Sequence, residues 1–230
     1  MSLYHNPNMV TNGLVLCLDA ANTRSYPGSG TTWTDLSGNG NTGTLTNGPT
    51  YSSSNGGSIV FDGVNDYCSL PTGFISSLTS FSVDSWFYWT DNGNWSRIFD
   101  FGTGTNVYTY LTPSSDNAKV RFAITVSSFG SEQRLETSKF TSNTWNNVVI
   151  TLSGTTGRMY VNGALVQTNT GMTLNFSSLG STALNYLGRS QWSSDPYLSG
   201  RISKFSIYNT ALTADQVLQN YNALRGRYGI

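Results

Sequence analysis

The chain holds one histidine, two cysteines and two glutamates, and its 12 Lys and Arg balance 12 Asp and Glu, so that only 10% of its 230 residues are charged. The charge shortage excludes nucleic acid as a partner, because there is no surplus of Lys and Arg to displace phosphate counterions. It argues equally against an enzyme for acidic substrates and against a disordered tail. With His5, Cys17 and Cys68 alone, no Cys/His zinc site can be assembled. A Ser-His-Asp or Cys-His catalyst would need His5, which sits in an N-terminal stretch broken by Asn6-Pro7-Asn8. No segment is long and apolar enough to span a bilayer, so membrane insertion is not expected. Leu14 to Leu18 stops at Asp19, too short for the apolar region of a signal peptide; if Met1 is the true start, export by the general secretory route is not expected either.

In place of charge the chain uses Ser, Thr, Asn and 24 Gly between short apolar runs. Trp145 to Leu152 and Arg158 to Asn162 read as the arms of a hairpin across Ser-Gly-Thr-Thr-Gly, with Val148, Ile150 and Leu152 forming one apolar face. Asn162-Gly163 then turns the chain back through Ala164 to Thr168, which makes a three-stranded meander. In Phe81 to Trp89, residues Phe81, Val83, Ser85, Phe87 and Trp89 face one way while Asp84, Trp86 and Tyr88 face the other. Ser58 to Asp62 and Asp66 to Leu70 flank Gly63-Val64-Asn65 and read as a second hairpin. Gly13 to Asp19 is apolar on both faces, as a strand covered by layers on each side would be. Further short strands, separated by Gly, Asn and Ser turns, continue to Tyr208; this is the rhythm of an all-β sandwich. Thr213-Ala-Asp-Gln216 is a capping box that opens a single short C-terminal helix, with Val217, Leu218, Tyr221 and Leu224 on one face and Gly226 as its expected stop. The division that follows is an arm over residues 1–12 and one domain over 13–230. Cys17 and Cys68 lie in apolar, strand-like surroundings and read as free buried thiols, with a disulfide between them left open.

Four stretches, SIVFDGVNDY (Ser58 to Tyr67), FSVDSWFYW (Phe81 to Trp89), TWNNVVITLSGTTGRMYVNG (Thr144 to Gly163) and YLGRS through LSGRISKFSIYNTALTADQV (Tyr186 to Val217), carry a resemblance to the laminin-G-like branch of the concanavalin A-like lectin and glucanase superfamily. The resemblance covers nearly the whole chain from Gly13 to Leu224 and implies a two-sheet antiparallel jelly roll. The opening GLVLCLDAANTRSYPGSGTTWTDLSGNGNTGTL is further similar to laminin-G-like proteins of tailed-phage virions. That likeness implies a virion surface protein, a capsid decoration, fibre or baseplate component, which contacts other virion proteins or its own copies and is released by lysis. The alternative is a free carbohydrate-binding lectin or adhesin module of a bacterium.

The catalytic branch of the superfamily carries its acid and nucleophile on one strand as Glu-x-Asp-x-Glu or a close variant. Here Glu132 and Glu136 are four apart with no Asp between them, so a non-enzymatic protein is expected. Asp35, Ser37 and Asn39 before Gly40, and Asp62 with Asn65 and Asp66, supply oxygen atoms in patterns that suit either calcium or simple Asx-turns. Calcium is common in the family, so Asp35, Asn39, Asp62 and Asp66 are its candidate ligands. Glycan binding needs an aromatic ring to stack on a sugar, with polar groups alongside for its hydroxyls. Trp95 with Arg97, and Arg189, Trp192, Asp195 and Tyr197, offer that on two loops, where the rings either fill the structure or meet cell-surface glycans; Trp33 is a third loop candidate. Trp86, Trp89 and Trp145 lie in strands and are expected in the core.

Overall fold

The computed structural model describes residues 7–230. Its first eight strands are β1 (Leu14–Asp19), β2 (Thr32–Trp33), β3 (Gly43–Thr46), β4 (Thr50–Ser52), β5 (Ser58–Asp62), β6 (Tyr67–Ser69), β7 (Phe81–Trp89) and β8 (Phe99–Gly102). The rest are β9 (Tyr108–Thr112), β10 (Lys119–Thr125), β11 (Gln133–Ser138), β12 (Trp145–Ser153), β13 (Thr156–Val161), β14 (Ala164–Asn169), β15 (Leu184–Leu187) and β16 (Ser199–Tyr208). They form two antiparallel sheets of eight strands, stacked as a jelly-roll sandwich. One sheet runs β14-β13-β12-β7-β16-β5-β4 with β1 also paired to β16; the other runs β11-β10-β9-β8-β15-β6-β3-β2. No helix among the described residues is long and apolar enough to cross a membrane.

The period-two alternation of the strands decides what lies between the sheets. Across the first sheet, Met159, Ile150, Val83, Ile207 and Leu16 stand opposite one another in register and all point inward. Across the second, Leu45, Cys68, Leu187, Phe99, Leu111, Phe122 and Leu135 form the facing row. Phe81, Val83, Phe87 and Trp89 face this core, whereas Trp86 turns to the other side, as the alternation in β7 requires.

That other side is covered by α1 (Ala214–Tyr228). The Thr213 hydroxyl accepts from the Gln216 amide and the Gln216 side chain accepts from the Thr213 amide, the capping box expected from the sequence. Tyr228 stacks on Trp86 at 4.1 Å and Tyr221 lies parallel to it at 5.7 Å. Beneath the helix sits a buried polar layer. Asp84 accepts from Asn147 (2.7 Å) and from Asn220 of α1 (3.2 Å), and the amide of Val10 donates to Asn220. Burial pushes the Asp84 carboxyl up, against the pull of Lys204, Asn147 and Asn220. The described part of the N-terminal arm therefore docks on α1, with Gln219 also donating to the Asn8 carbonyl at 2.6 Å. His5 lies outside the described residues.

Four expectations are corrected. The segments around Gly63 do not form a hairpin: β5 pairs with β16 and β4, while β6 pairs with β15 and β3 in the opposite sheet. The turn is one corner of the sandwich, where Asp62 accepts from the amides of Val64 and Asn65. The β12–β13 loop is two residues, Gly154-Thr155, because Ser153 already pairs with Thr156. The helix passes through Gly226 and stops at Gly229, whose left-handed conformation (φ 73°) closes it. Trp33 is fully buried in the core, so it is no ligand contact. Cys17 and Cys68 are both free: Cys17, on β1, lies outside the core beside Lys204, and Cys68 lies between the sheets.

Substituting Asn220→Ala leaves Asp84 and the Val10 amide each short of a buried partner and is expected to cost about 2–3 kcal/mol. Thr213→Ala removes only the cap and is expected to cost about 1 kcal/mol. Urea denaturation of the two variants checks the ranking.

Candidate functional site

The outward row of the second sheet is polar and aromatic. Thr32, Thr44, Ser69, Tyr186, Asp100, Tyr110, Ala123 and Arg134 stand in register from one edge to the other. Over its β9 to β11 end, two loops bring down Trp95 and Trp192. Together with Arg97, Tyr110, Phe129, Glu132 and Asp195 they enclose a cavity of about 200 Å³. A smaller one of about 90 Å³ adjoins it, bordered by Arg189, Gln191 and Tyr197, and the two share Trp192 and Asp195 as a wall. Six of the seven residues singled out in the sequence for glycans thus border one of two contiguous cavities, the exception being the buried Trp33.

The Arg97 guanidinium is the hub. It is 2% exposed and lies 4.2 Å over the Tyr110 ring. Its Nε donates to Asp100 at 3.2 Å, Nη1 to the Trp95 carbonyl at 2.6 Å and Nη2 to Asp195 at 2.9 Å. These bonds tie together the β7–β8 loop, β8 and the β15–β16 loop. A second buried guanidinium, Arg121 on β10, binds Glu136 across the strand pair and Asp116 at 2.9 Å, and faces Trp95 at 5.2 Å. Glu132 accepts from Tyr108 at 2.8 Å and from Arg134 at 2.7 Å. Burial raises the Tyr110 phenol, so it stays neutral; its hydroxyl makes no well-formed hydrogen bond among the described residues, although Arg121 lies beside it.

The aromatic walls are held by local geometry. Trp95 has a left-handed backbone (φ 75°), unusual for so large a residue, and its amide donates to the Ser114 carbonyl at 2.7 Å. Trp192 stands edge-on to Tyr108 at 4.7 Å, its amide held by the Ser190 hydroxyl, which itself donates to Asp195. Arg189 packs over Tyr67 and Tyr186 at 4.8 and 4.6 Å.

The residues that sequence reasoning missed are Tyr110, Phe129 and Asp100, together with Glu132 and Arg121. The alternation Tyr108, Tyr110, Thr112 in β9 was the available signal, since it marks a face too polar to be the core. Glu132 and Glu136, which the sequence offers only as an incomplete catalytic pair, both lie against Arg121. The candidate calcium ligands sit on two separate loops. Asp35 accepts from the amides of Cys17, Ser37 and Asn41, and Asn39 donates to the Leu14 carbonyl. Asp66 accepts from the Asp62 amide, and burial pushes its carboxyl up. Among the described residues no three His, Cys, Asp or Glu side chains converge to hold a metal ion.

The model of the concanavalin A-like lectin/glucanases superfamily, in its laminin-G form, matches residues 62–218. No curated protein matches the chain. Among solved structures, domain 4 of AbnA, a GH43 extracellular arabinanase from Geobacillus stearothermophilus in complex with arabinotriose, aligns with a TM-score of 0.76 at 22% identity, over 90% of this chain and 98% of that one. The binding domain of botulinum neurotoxin DC, in complex with rat synaptotagmin II, aligns at 0.72 and 16% identity, over 94% of this chain and 52% of that one. Trypanosoma rangeli sialidase in complex with sialic acid aligns at 0.69 and 15% identity, the chain spanning 33% of it. At these identities the likeness is one of fold.

Burial raises the Asp100 carboxyl from its ordinary value of 3.8 to about 7, outweighing Arg97. Between those values the folded chain keeps a proton that the unfolded chain has released, so stability falls as pH rises through the window. Asp100→Asn cannot titrate. Its melting temperature relative to the parent is expected to climb from about pH 4 to about pH 7 and then level off; parallel melting curves would show that Asp100 is not the titrating group.

Proposed function

The chain belongs to the concanavalin A-like lectin/glucanase superfamily, and on that premise we propose that it is a non-enzymatic carbohydrate-binding protein whose ligand sits in the Trp95–Trp192 cavity. The observation that carries this reading is the convergence of Trp95, Tyr110 and Trp192 with the free Tyr110 hydroxyl and the Asp195 carboxylate. Rings stack on the C–H faces of a sugar, and the polar atoms bond its hydroxyls. The carboxylates support binding rather than hydrolysis. Glu132 and Asp195 are each held by an arginine, and Asp100 is fully buried behind Arg97. Glycosidic cleavage needs one carboxylic acid free to give its proton to the leaving oxygen. A cavity of this size contacts one or two rings, so affinity per site is weak and display in many copies strengthens it.

The setting we propose is a virion surface, as capsid decoration, fibre or baseplate component, which would supply that multiplicity through contacts with other virion proteins or between copies. It is supported by the likeness of the segment from Gly13 to Leu45 to tailed-phage proteins and by the scarcity of surface charge. A bacterial lectin or adhesin module is the rival setting. Mass spectrometry of the purified virions decides between them, since a decoration or tail component is present in stoichiometric amounts.

On a glycan array, the parent protein is expected to bind a defined subset of oligosaccharides, and Trp192→Ala to lose at least about tenfold in affinity, about 1.4 kcal/mol. Leu165→Ala, at the exposed edge of the other sheet, is expected to change nothing. Silence across the array, or release of sugar from any bound glycan, would overturn the reading.

A further inference from the structure

The chain is poor in charge, yet the cavity is not. Glu132 and Asp195 line it, and Asp100, Asp116 and Glu136 are paired with the arginines at and behind its wall, together five of the 12 acidic residues and both glutamates. Three arginines, Arg97, Arg121 and Arg134, stand among them. Even with Asp100 set aside, because its carboxyl holds a proton up to about pH 7, carboxylates outnumber guanidinium groups four to three. The two arginines nearest the floor are also paired: Arg97 with Asp100, Asp195 and the Trp95 carbonyl, and Arg121 with Glu136 and Asp116, its Nη1 lying 3.8 Å from Glu132 without a well-formed bond among the described residues. Both are at most 2% exposed.

We infer that this cavity selects uncharged saccharides and rejects anionic ones. This rests on the glycan-binding reading and specifies its ligand. Among the described residues, the one cation that lines the larger cavity, Arg97, is already paired with two carboxylates, so an incoming carboxylate or sulfate finds none unpaired there. To gain one it must break a buried ion pair, which strands a charge; otherwise it faces the carboxylate surplus in surroundings that screen poorly. A sugar hydroxyl meets neither obstacle. It donates to Asp195 or exchanges a hydrogen bond with the Tyr110 hydroxyl, the buried polar group in the wall with no well-formed partner among the described residues. Arg189 makes no salt bridge among the described residues, but it borders the smaller cavity and lies against Tyr67 and Tyr186. The selection thus operates on the sugar unit that enters the larger cavity.

The test uses the full chain on matched oligosaccharides that differ only in charge: neutral, uronic-acid-bearing, sialylated and sulfated forms of the same backbones, at low and high salt. Neutral forms are expected to bind about tenfold or more tightly than their anionic counterparts. Glu132→Gln removes one negative charge with little change of shape and is expected to narrow the gap several-fold; high salt narrows it in the unaltered protein. Equal binding of neutral and anionic forms overturns the selectivity while leaving glycan binding intact. So does a gap that neither Glu132→Gln nor salt changes, because the discrimination is then one of shape. Absence of binding to every oligosaccharide overturns the glycan reading itself.

Discussion

The apolar layer between the two sheets places everything else in the molecule. Its rows, such as Leu111 against Phe122 and Leu135, are fixed because a shift of one residue would turn every inward side chain to water. The same constraint fixes the outward rows by parity. Tyr110 faces out because Leu111 faces in, and Asp100, Ala123 and Arg134 follow along the register. The floor of the candidate site is therefore a by-product of the core, and its precision is that of the sheet.

Loops complete what the sheet begins, and they are tied down by charge rather than by apolar packing. Arg97 joins segments nearly a hundred residues apart through Trp95 and Asp195, with its flat face on Tyr110. Buried guanidinium groups are tolerated only when their donors are met, and here carboxylates and a backbone carbonyl meet them. On the other sheet the polar layer of Asp84, Asn147 and Asn220 does the corresponding work for α1 and the arm. Each outer face thus carries one buried polar cluster that holds a segment in place: a helix on one side, the loops of the candidate site on the other.

Local pattern carried much of this into the sequence. The alternation in Phe81 to Trp89 assigned both faces of β7 correctly, and the Thr213–Gln216 box announced the start of α1. Trp95 and Trp192 stood out because tryptophan among turn residues has little core to enter. Pairing between distant strands was not legible: Gly63-Val64-Asn65 has the residues of a hairpin turn, and only tertiary contacts decide that the chain crosses to the opposite sheet there. Trp33 misled for a similar reason, since a two-residue strand leaves almost no periodicity to read. Gly226 resembles a stop in the sequence, yet glycine only weakens a helix, and Gly229, in the left-handed conformation, ends it.

The backbone at Trp95 has a further consequence. A left-handed conformation in a residue of that size costs of order 1–3 kcal/mol, and it is sustained by the Ser114 carbonyl and by the guanidinium on its own carbonyl. That expense falls on folding and is met once, before any ligand arrives. The ring is therefore already presented in the unliganded fold, and a sugar of the kind proposed would meet this wall without rearranging it.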